Sequence, residues 1–130
     1  MTDNLTLEDV LEIAEGVVGE VAVRDIGLLE SACHRPRATA FGADAYPTLC
    51  EKAAALLHSL APNHPLTEGN TRLAWAGARV FLLLNSCDVG YASVDEVEGF
   101  VLAVARGELE VPEIAAWIEH HLTLDESGQQ

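Results

Sequence analysis

Apolar residues recur at helical spacing over most of the chain, which predicts a protein built mainly from helices. Thr6 and Asp9 have the spacing of a capping box and predict the start of a first helix. Asp25 predicts the cap of a second, shorter helix, which Pro36 should end. The apolar positions that define these two helices are Val10, Leu11, Ala14, Val17, Val18, Leu28, Leu29 and Ala32.

The middle of the chain predicts two longer helices. Asp44, with Pro47 shortly after it, predicts the start of the third helix, and Pro62 should end it. A fourth helix is predicted from about Asn70 to Asn85. Its apolar residues surround most of its circumference, so we expect it to be the buried central helix.

Two helix starts remain in the last third of the chain. Ser93 and Glu96 form another capping-box pattern, and Pro112 suits the first turn of a final helix. Residues 34–44 combine Pro, Gly and alternating small residues, which predicts a loop or a short hairpin. With no other convincing strand, the sequence predicts an all-α bundle.

The length and the charge of the chain indicate one folded domain and bear on the partners that it can bind. A chain of 130 residues, 49% of them hydrophobic, is suited to one folded domain, which we expect over residues 1–124 with a frayed tail at 125–130. Seven Lys and Arg stand against 21 Asp and Glu, a formal net charge of −14. Such a surface repels phosphate backbones and anionic lipids, so neither a nucleic acid nor a membrane is an expected partner.

The cysteines and the first residues bear on the cellular compartment. The opening residues have no basic region followed by an apolar run, which argues against a signal peptide. Cys33, Cys50 and Cys87 are odd in number and lack CxxC spacing, so we expect three reduced thiols and no zinc site. A cytoplasmic protein is the resulting prediction.

The segment His64 to Arg72 concentrates polar chemistry just before the fourth helix. A helix N-terminus favours an anion, and Gly69 allows close approach of a ligand to the backbone. Arg72 in the first turn opposes the helix dipole unless an anion binds there. His64 can take a proton near neutral pH, and Glu68 offers the oxygen that Mg²⁺ prefers. These groups suit phosphate transfer, but an ordinary turn before a helix explains them equally well.

The same segment resembles the signature of the Fic/Doc family, roughly HPFx[D/E]GN[G/K]R. Six positions match, namely His64, Pro65, Glu68, Gly69, Asn70 and Arg72. Residues 24–32, Phe41-Gly42 and residues 51–60 are similar to the Doc (death-on-curing) toxin branch. The resemblance implies a single Fic-like helical bundle with a short β-hairpin flap.

The resemblance also implies roles for individual residues. His64 would be the catalytic general base that activates a hydroxyl on a target protein. Glu68 would hold Mg²⁺ on the phosphates of ATP, and residues 36–43 would be the flap that docks the target as an added strand. The phosphate-binding set would be Gly69, Asn70, Thr71 and Arg72, with Arg72 also serving catalysis.

The function implied by the resemblance is that of a toxin kinase. Such an enzyme would transfer the γ-phosphate of ATP to a target protein, which in the family is elongation factor Tu. A small antitoxin would restrain it. Two departures keep alternatives open, because Leu66 replaces the family's Phe and Thr71 stands where Doc proteins carry Lys. The alternatives are transfer of AMP to a protein hydroxyl and a degenerate module that only binds a nucleotide or a partner.

Overall fold

The computed structural model describes residues 1–90 and 93–124. Helices dominate the described residues and four short strands accompany them, so the predicted Fic-like helical bundle is confirmed. The helices are α1 (Leu7–Val18), α2 (Ile26–His34), α3 (Leu49–Asn63), α4 (Asn70–Leu84), α5 (Val94–Ala105) and α6 (Val111–His121). The strands are β1 (Thr39–Ala40), β2 (Ala43–Asp44), β3 (Cys87–Val89) and β4 (Leu122–Leu124).

Side-chain caps begin several helices where the sequence predicts them. The Asp9 N–H donates to Thr6 Oγ1 at 3.1 Å, and the Thr6 N–H donates to the Asp9 carboxylate at 2.9 Å. Asp25 accepts the Leu28 N–H at 3.3 Å at the start of α2. These bonds satisfy N–H groups that have no acceptor inside the helix, and they account for the correct helix starts.

The predicted bounds of α3 are wrong at both ends. The helix begins after Thr48, because Thr48 and Glu51 form a reciprocal capping box with bonds of 3.1 and 3.2 Å. Asp44 lies in β2 instead and pairs with a lysine. Pro62 lies inside the helix, one residue before its end. A proline this close to the C-terminus costs only one helical bond, so it does not stop the helix.

The central helix is α3 rather than α4. Almost every residue from Cys50 to Ala61 is buried, and α3 packs against α2, α4, α5 and α6. Three consecutive alanines, Ala53 to Ala55, let neighbouring elements approach α3 from several sides. By contrast, α4 buries one face and leaves Arg72 and Arg79 exposed on the other.

One continuous hydrophobic core draws residues from all of the helices named above. Leu66 is 1% exposed within it, so the replacement of the family's Phe still fills an anchoring position. In the described part of the chain, no helix is both long and apolar enough to cross a membrane. The predicted frayed tail, residues 125–130, lies outside the described residues.

Two antiparallel ribbons complete the fold. The predicted hairpin is present, with Thr39 opposite Asp44 and Ala40 opposite Ala43. The second ribbon, β3 with β4, pairs Asp88 with Thr123 and was not predicted. Each of its strands has only three residues, too short for an alternating pattern to be recognised, and the pairing joins segments far apart in sequence.

The three cysteines are free and differ in exposure, which predicts their reactivity. Burial raises the pKa of Cys33 to about 11 and also raises the pKa of Cys50, whereas Cys87 is only half-buried. Since the thiolate is the nucleophile, iodoacetamide at mildly alkaline pH should label Cys87 well before the other two. Peptide mass spectrometry over time measures this, with urea-unfolded protein as the control. Equal labelling of Cys33 and Cys87 in the native protein would contradict the buried placement of Cys33.

Candidate active site

His64 ends α3 in a left-handed conformation, with φ 50° and ψ 61°. This turn leaves the imidazole exposed and exposes carbonyl groups at the end of the helix. Arg24 satisfies two of them, because its Nε donates to the His64 carbonyl at 2.6 Å and its Nη2 to the Asn63 carbonyl at 2.8 Å. Arg24 thus holds the backbone of the candidate base, a role that its position in the sequence does not reveal.

The loop after His64 is fixed by the segment before α2. The Arg24 and Asp25 N–H groups both donate to the Pro65 carbonyl, at 2.8 and 3.0 Å. The Thr67 N–H donates to the Ala22 carbonyl at 2.9 Å. These backbone bonds hold the loop as an added strand-like segment and give it one defined course between α3 and α4.

Asn70 closes the loop from inside. It is 7% exposed, its Oδ1 accepts the Leu66 N–H at 2.9 Å, and its Nδ2 donates to the Leu66 carbonyl at 3.0 Å. These bonds fix the orientation of the amide, and they place Nδ2 3.4 Å from His64 Nδ1. The buried amide therefore shapes the loop and touches the ring of the candidate base.

The contact with Asn70 has a consequence for the tautomer of His64. An amide nitrogen can only donate, so Nδ1 accepts and a neutral ring carries its proton on Nε2. To take a proton at Nε2 the ring must first move its own proton to Nδ1 and give up this long contact. The exposure of His64 lets water carry out that exchange.

Gly69 lies between the loop and α4, and its conformation requires a glycine. Its φ is +84°, and a Cβ built on it would lie 2.5 Å from Cγ2 of Val18 in α1. Both the left-handed backbone and the close approach of α1 exclude a larger residue. The first N–H groups of α4 follow directly and have no acceptor inside the helix, so the turn can receive an anion.

The other predicted site residues surround the start of α4. Glu68 and Arg72 are exposed and Thr71 is half-buried. One guanidinium nitrogen of Arg72 lies 3.4 Å from the Val17 carbonyl, a contact at the limit of a hydrogen bond. The two charged side chains are therefore available to a ligand from solvent.

A cavity of about 540 Å³ opens beside the start of α4 and extends between α4, β3 and α5. Thr71 and Arg72 lie at its wall together with Trp75 and Arg79, whereas His64 and Glu68 do not line it. The sequence did not reveal this cavity, because its walls come from three separate segments that only the fold brings together, residues 71–79, 89–90 and 94–102.

Arg79 is already paired. It donates to the two carboxylate oxygens of Asp88 at 2.9 and 3.1 Å. The hydrogen bond with Arg79 lowers the pKa of Asp88, and the same contact raises the pKa of the guanidinium. Two arginines line the cavity, Arg72 and Arg79. Among the described residues, Arg72 forms no ion pair with a carboxylate.

The carboxylate at this site suits a metal ion that arrives bound to a ligand better than an ion that the protein holds by itself. Over residues 1–90 and 93–124, no three His, Cys, Asp or Glu residues are grouped so that they could hold a metal. Glu68 offers one exposed carboxylate. Mg²⁺ is often bound by one or two carboxylates together with substrate phosphates, which a single glutamate beside an anion-binding turn can satisfy.

The predicted flap, residues 36–43, only partly coincides with the β1–β2 hairpin of residues 39–44, because residues 36–37 belong to a short 3-10 helix in which Pro36 is buried. All four strand residues are exposed, and Phe41 at the tip is fully exposed with φ 54°. The exposed ring of Phe41 gains no stabilisation from burial, and its left-handed backbone conformation is strained for a residue with a side chain. The hairpin therefore presents exposed strand residues and an exposed aromatic tip.

Comparison with known proteins agrees with the motif and its placement. The model of the Fic/DOC family matches residues 4–82, which contain α1 to α3, the hairpin, the loop and most of α4. The chain belongs to the Fic/DOC family. It is also 49% identical over 120 residues to Toxin Doc of Mycolicibacterium smegmatis (strain ATCC 700084 / mc(2)155), an alignment that covers 89% of this chain and 91% of the relative. The predicted resemblance to the Doc branch is thereby confirmed.

The close contact at Gly69 predicts the effect of adding one methyl group there. Gly69→Ala should lower the free energy of unfolding by about 2–4 kcal/mol, from left-handed strain and from the clash with Val18. Urea unfolding measures this change. In a Val18→Ala background the two closest contacts, with the Cγ atoms, are removed, so the same substitution should cost less. Equal stability of Gly69→Ala and the unmodified protein would contradict the contact.

Proposed function

We propose that this protein is a Doc-like toxin that transfers the γ-phosphate of ATP to a hydroxyl group of a target protein. The observation that supports this most is the loop from His64 to Asn70, which joins an exposed imidazole to an open helix N-terminus in a Fic/DOC chain. The likeness to Toxin Doc supports the same function. Base, carboxylate, open N–H groups and arginine are what phosphoryl transfer requires.

The proposed reaction is a direct transfer. Once the ring's own proton has moved to Nδ1, His64 Nε2 takes the proton of the target's hydroxyl, and the hydroxyl oxygen attacks the γ-phosphorus of ATP. The bond between that phosphorus and the β–γ bridging oxygen breaks, and ADP leaves. The N–H groups at the start of α4 and the guanidinium of Arg72 stabilise the developing negative charge. Mg²⁺, with Glu68 as its protein ligand, would neutralise charge on the nucleotide phosphates.

The choice of γ-phosphate follows from Trp75. By resemblance, Fic enzymes that add AMP carry a second arginine three residues after the first, and it holds the distal phosphates. Trp75 occupies that place here and lies in the cavity wall. An indole has one neutral donor and cannot replace a bidentate guanidinium. With one arginine at the turn, the nucleotide is free to bind with its γ-phosphate toward His64.

The resemblance extends the proposal to partners. The target would be elongation factor Tu, docked along the β1–β2 hairpin, and its modification would arrest translation in the cytoplasm. A small antitoxin would restrain the enzyme. The chain's closest echoes of the family's self-inhibiting [ST]xxxE[GN] helix, residues 11–16 and 94–99, lack the Ser or Thr, which favours restraint by a separate chain.

Transfer of AMP is the second candidate, because one observation favours it. Arg72 and Arg79 line the same cavity, so a guanidinium released from Asp88 could contribute to binding distal phosphates. This would require breaking a doubly hydrogen-bonded ion pair, which makes it the weaker candidate.

Labelled ATP distinguishes the candidates. Purified protein and elongation factor Tu are incubated with Mg²⁺ and ATP labelled at either the α or the γ position, and the target is analysed by intact mass. Label from the γ position supports the proposal. Label from the α position, with a mass gain of one AMP, would support AMP transfer instead. Tight binding of Mg²⁺–ATP without any transfer would indicate the degenerate module.

Removing the imidazole should abolish transfer and toxicity while the fold persists. His64 is exposed and its side chain makes one long contact, so His64→Ala loses little packing. His64→Asn is the matched variant, since asparagine tolerates the left-handed backbone. Growth inhibition on induction and thermal unfolding measure the two effects. Growth inhibition by either folded variant would exclude His64 as the general base.

Thr71→Lys should raise turnover if the site is a weakened Doc site. A lysine there could donate a charge-assisted bond to a phosphate, worth about 1.5–3 kcal/mol or roughly tenfold or more in rate. Steady-state phosphorylation of the target measures the gain. Thr71→Met adds similar length without charge and should give none. A folded Thr71→Lys protein with unchanged or lower turnover would show that Thr71 belongs to a differently arranged site.

A further inference from the structure

The β1–β2 hairpin does not hold its own position. Its four strand residues and its tip are exposed, so no apolar packing fixes it against the domain. One backbone bond closes its base, from the Ala45 N–H to the Ala38 carbonyl at 2.8 Å. A two-stranded ribbon of this size is unstable by itself. Its orientation must come from the residues that flank it.

Lys52 of α3 binds both flanks of the hairpin. Its ammonium group donates to the Pro36 carbonyl at 3.4 Å, the Tyr46 carbonyl at 2.6 Å and the Asp44 carboxylate at 3.2 Å. The residue is only 6% exposed. A buried ammonium is costly unless all three of its protons are bonded, and here three oxygens meet them. Those oxygens belong to the hairpin and to its two ends.

Arg35 makes a second bridge between the same elements. Its Nε donates to the Tyr46 hydroxyl at 3.0 Å, and its guanidinium lies 5.5 Å from the centre of the Tyr46 ring. Its Nη1 contacts α3, with 3.0 Å to Ser59 Oγ and 2.7 Å to His58 Nδ1. Since arginine only donates, His58 accepts at Nδ1 and turns its Nε2–H toward Glu110, at 3.3 Å.

Both bridges end on the helix that carries His64. Ser59 is five residues before His64, about 7–8 Å along the axis, and Lys52 is twelve residues before it, about 18 Å. Because α3 is buried along its length, it acts as a rigid spacer between the hairpin and the imidazole.

We propose that Lys52 and Arg35 are positioning residues for the target protein. They hold the hairpin at one place on α3, so that a target strand added to its edge brings a hydroxyl group to His64. This inference rests on the proposed function and adds to it a determinant of target binding. Neither residue touches the reacting atoms.

Hydrogen exchange tests the structural part without any activity. Lys52→Met keeps the length of the side chain and removes the ammonium. Amides of residues 38–46 should then exchange faster, while those of α4 keep their protection. Arg106→Met is the control, since it removes an exposed cation at the end of α5. Unchanged exchange in the hairpin of Lys52→Met would overturn the proposal.

Kinetics test the functional part. Lys52→Met should raise KM for the target by about ten- to a hundredfold, because a displaced strand misplaces the hydroxyl, and should leave KM for ATP unchanged. Asp44→Asn should act in the same direction but less, and it replaces Lys52→Met if that variant fails to fold. An equal rise in both KM values would indicate general damage and overturn the positioning role.

A double-mutant cycle links the bridge to the hairpin. If Lys52 acts by placing the hairpin, Phe41→Ala and Lys52→Met should raise KM for the target by less together than the product of their separate effects. Independent, multiplicative effects would overturn the proposal. If the unmodified protein modifies no target, the docking role falls with the proposed function, while hydrogen exchange still reports separately on whether Lys52 holds the hairpin.

Discussion

The structure depends on the burial of α3 from nearly every side. The small side chains of Ala53, Ala54 and Ala55 make this possible, because they let neighbouring helices approach a helix that has almost no solvent-facing stripe. A helix packed in this way cannot tilt or slide without disturbing the whole core. It therefore provides a fixed frame from which both the candidate base and the hairpin are placed.

The loop at His64 and the hairpin, both attached to α3, are held in place mainly by polar bonds. Arg24 binds the carbonyl of His64, Asn70 binds both backbone groups of Leu66, and Lys52 binds the ends of the hairpin. Such bonds are directional and define one course for an irregular segment, which apolar packing alone does not. The protein thus combines a tightly packed interior with loops whose shape is specified by a few side-chain donors, of which Lys52 and Asn70 are buried and Arg24 is exposed.

The sequence predicted most of what depends on neighbouring residues, with the start of α3 as an exception, and missed what depends on distant ones. Helix starts at Thr6 and Asp25 followed from caps within one turn, and the nine-residue motif located the candidate site. Arg24 could not be recognised, because its partner lies 40 residues away. Asp44 was misassigned as a helix cap for a different reason, because the local capping box of Thr48 and Glu51, which starts α3, was overlooked. The β3–β4 ribbon likewise joins segments that show no periodic signal.

The packing of α6 against α3 has a consequence for the order of events during synthesis. Helix α6 is the last helix in the described part of the chain, and it covers the helix that carries His64. A nascent chain that has released the motif but not α6 lacks one wall of its core. The arrangement of His64, Gly69 and Asn70 should therefore become stable only after α6 has also left the ribosome and packed against α3.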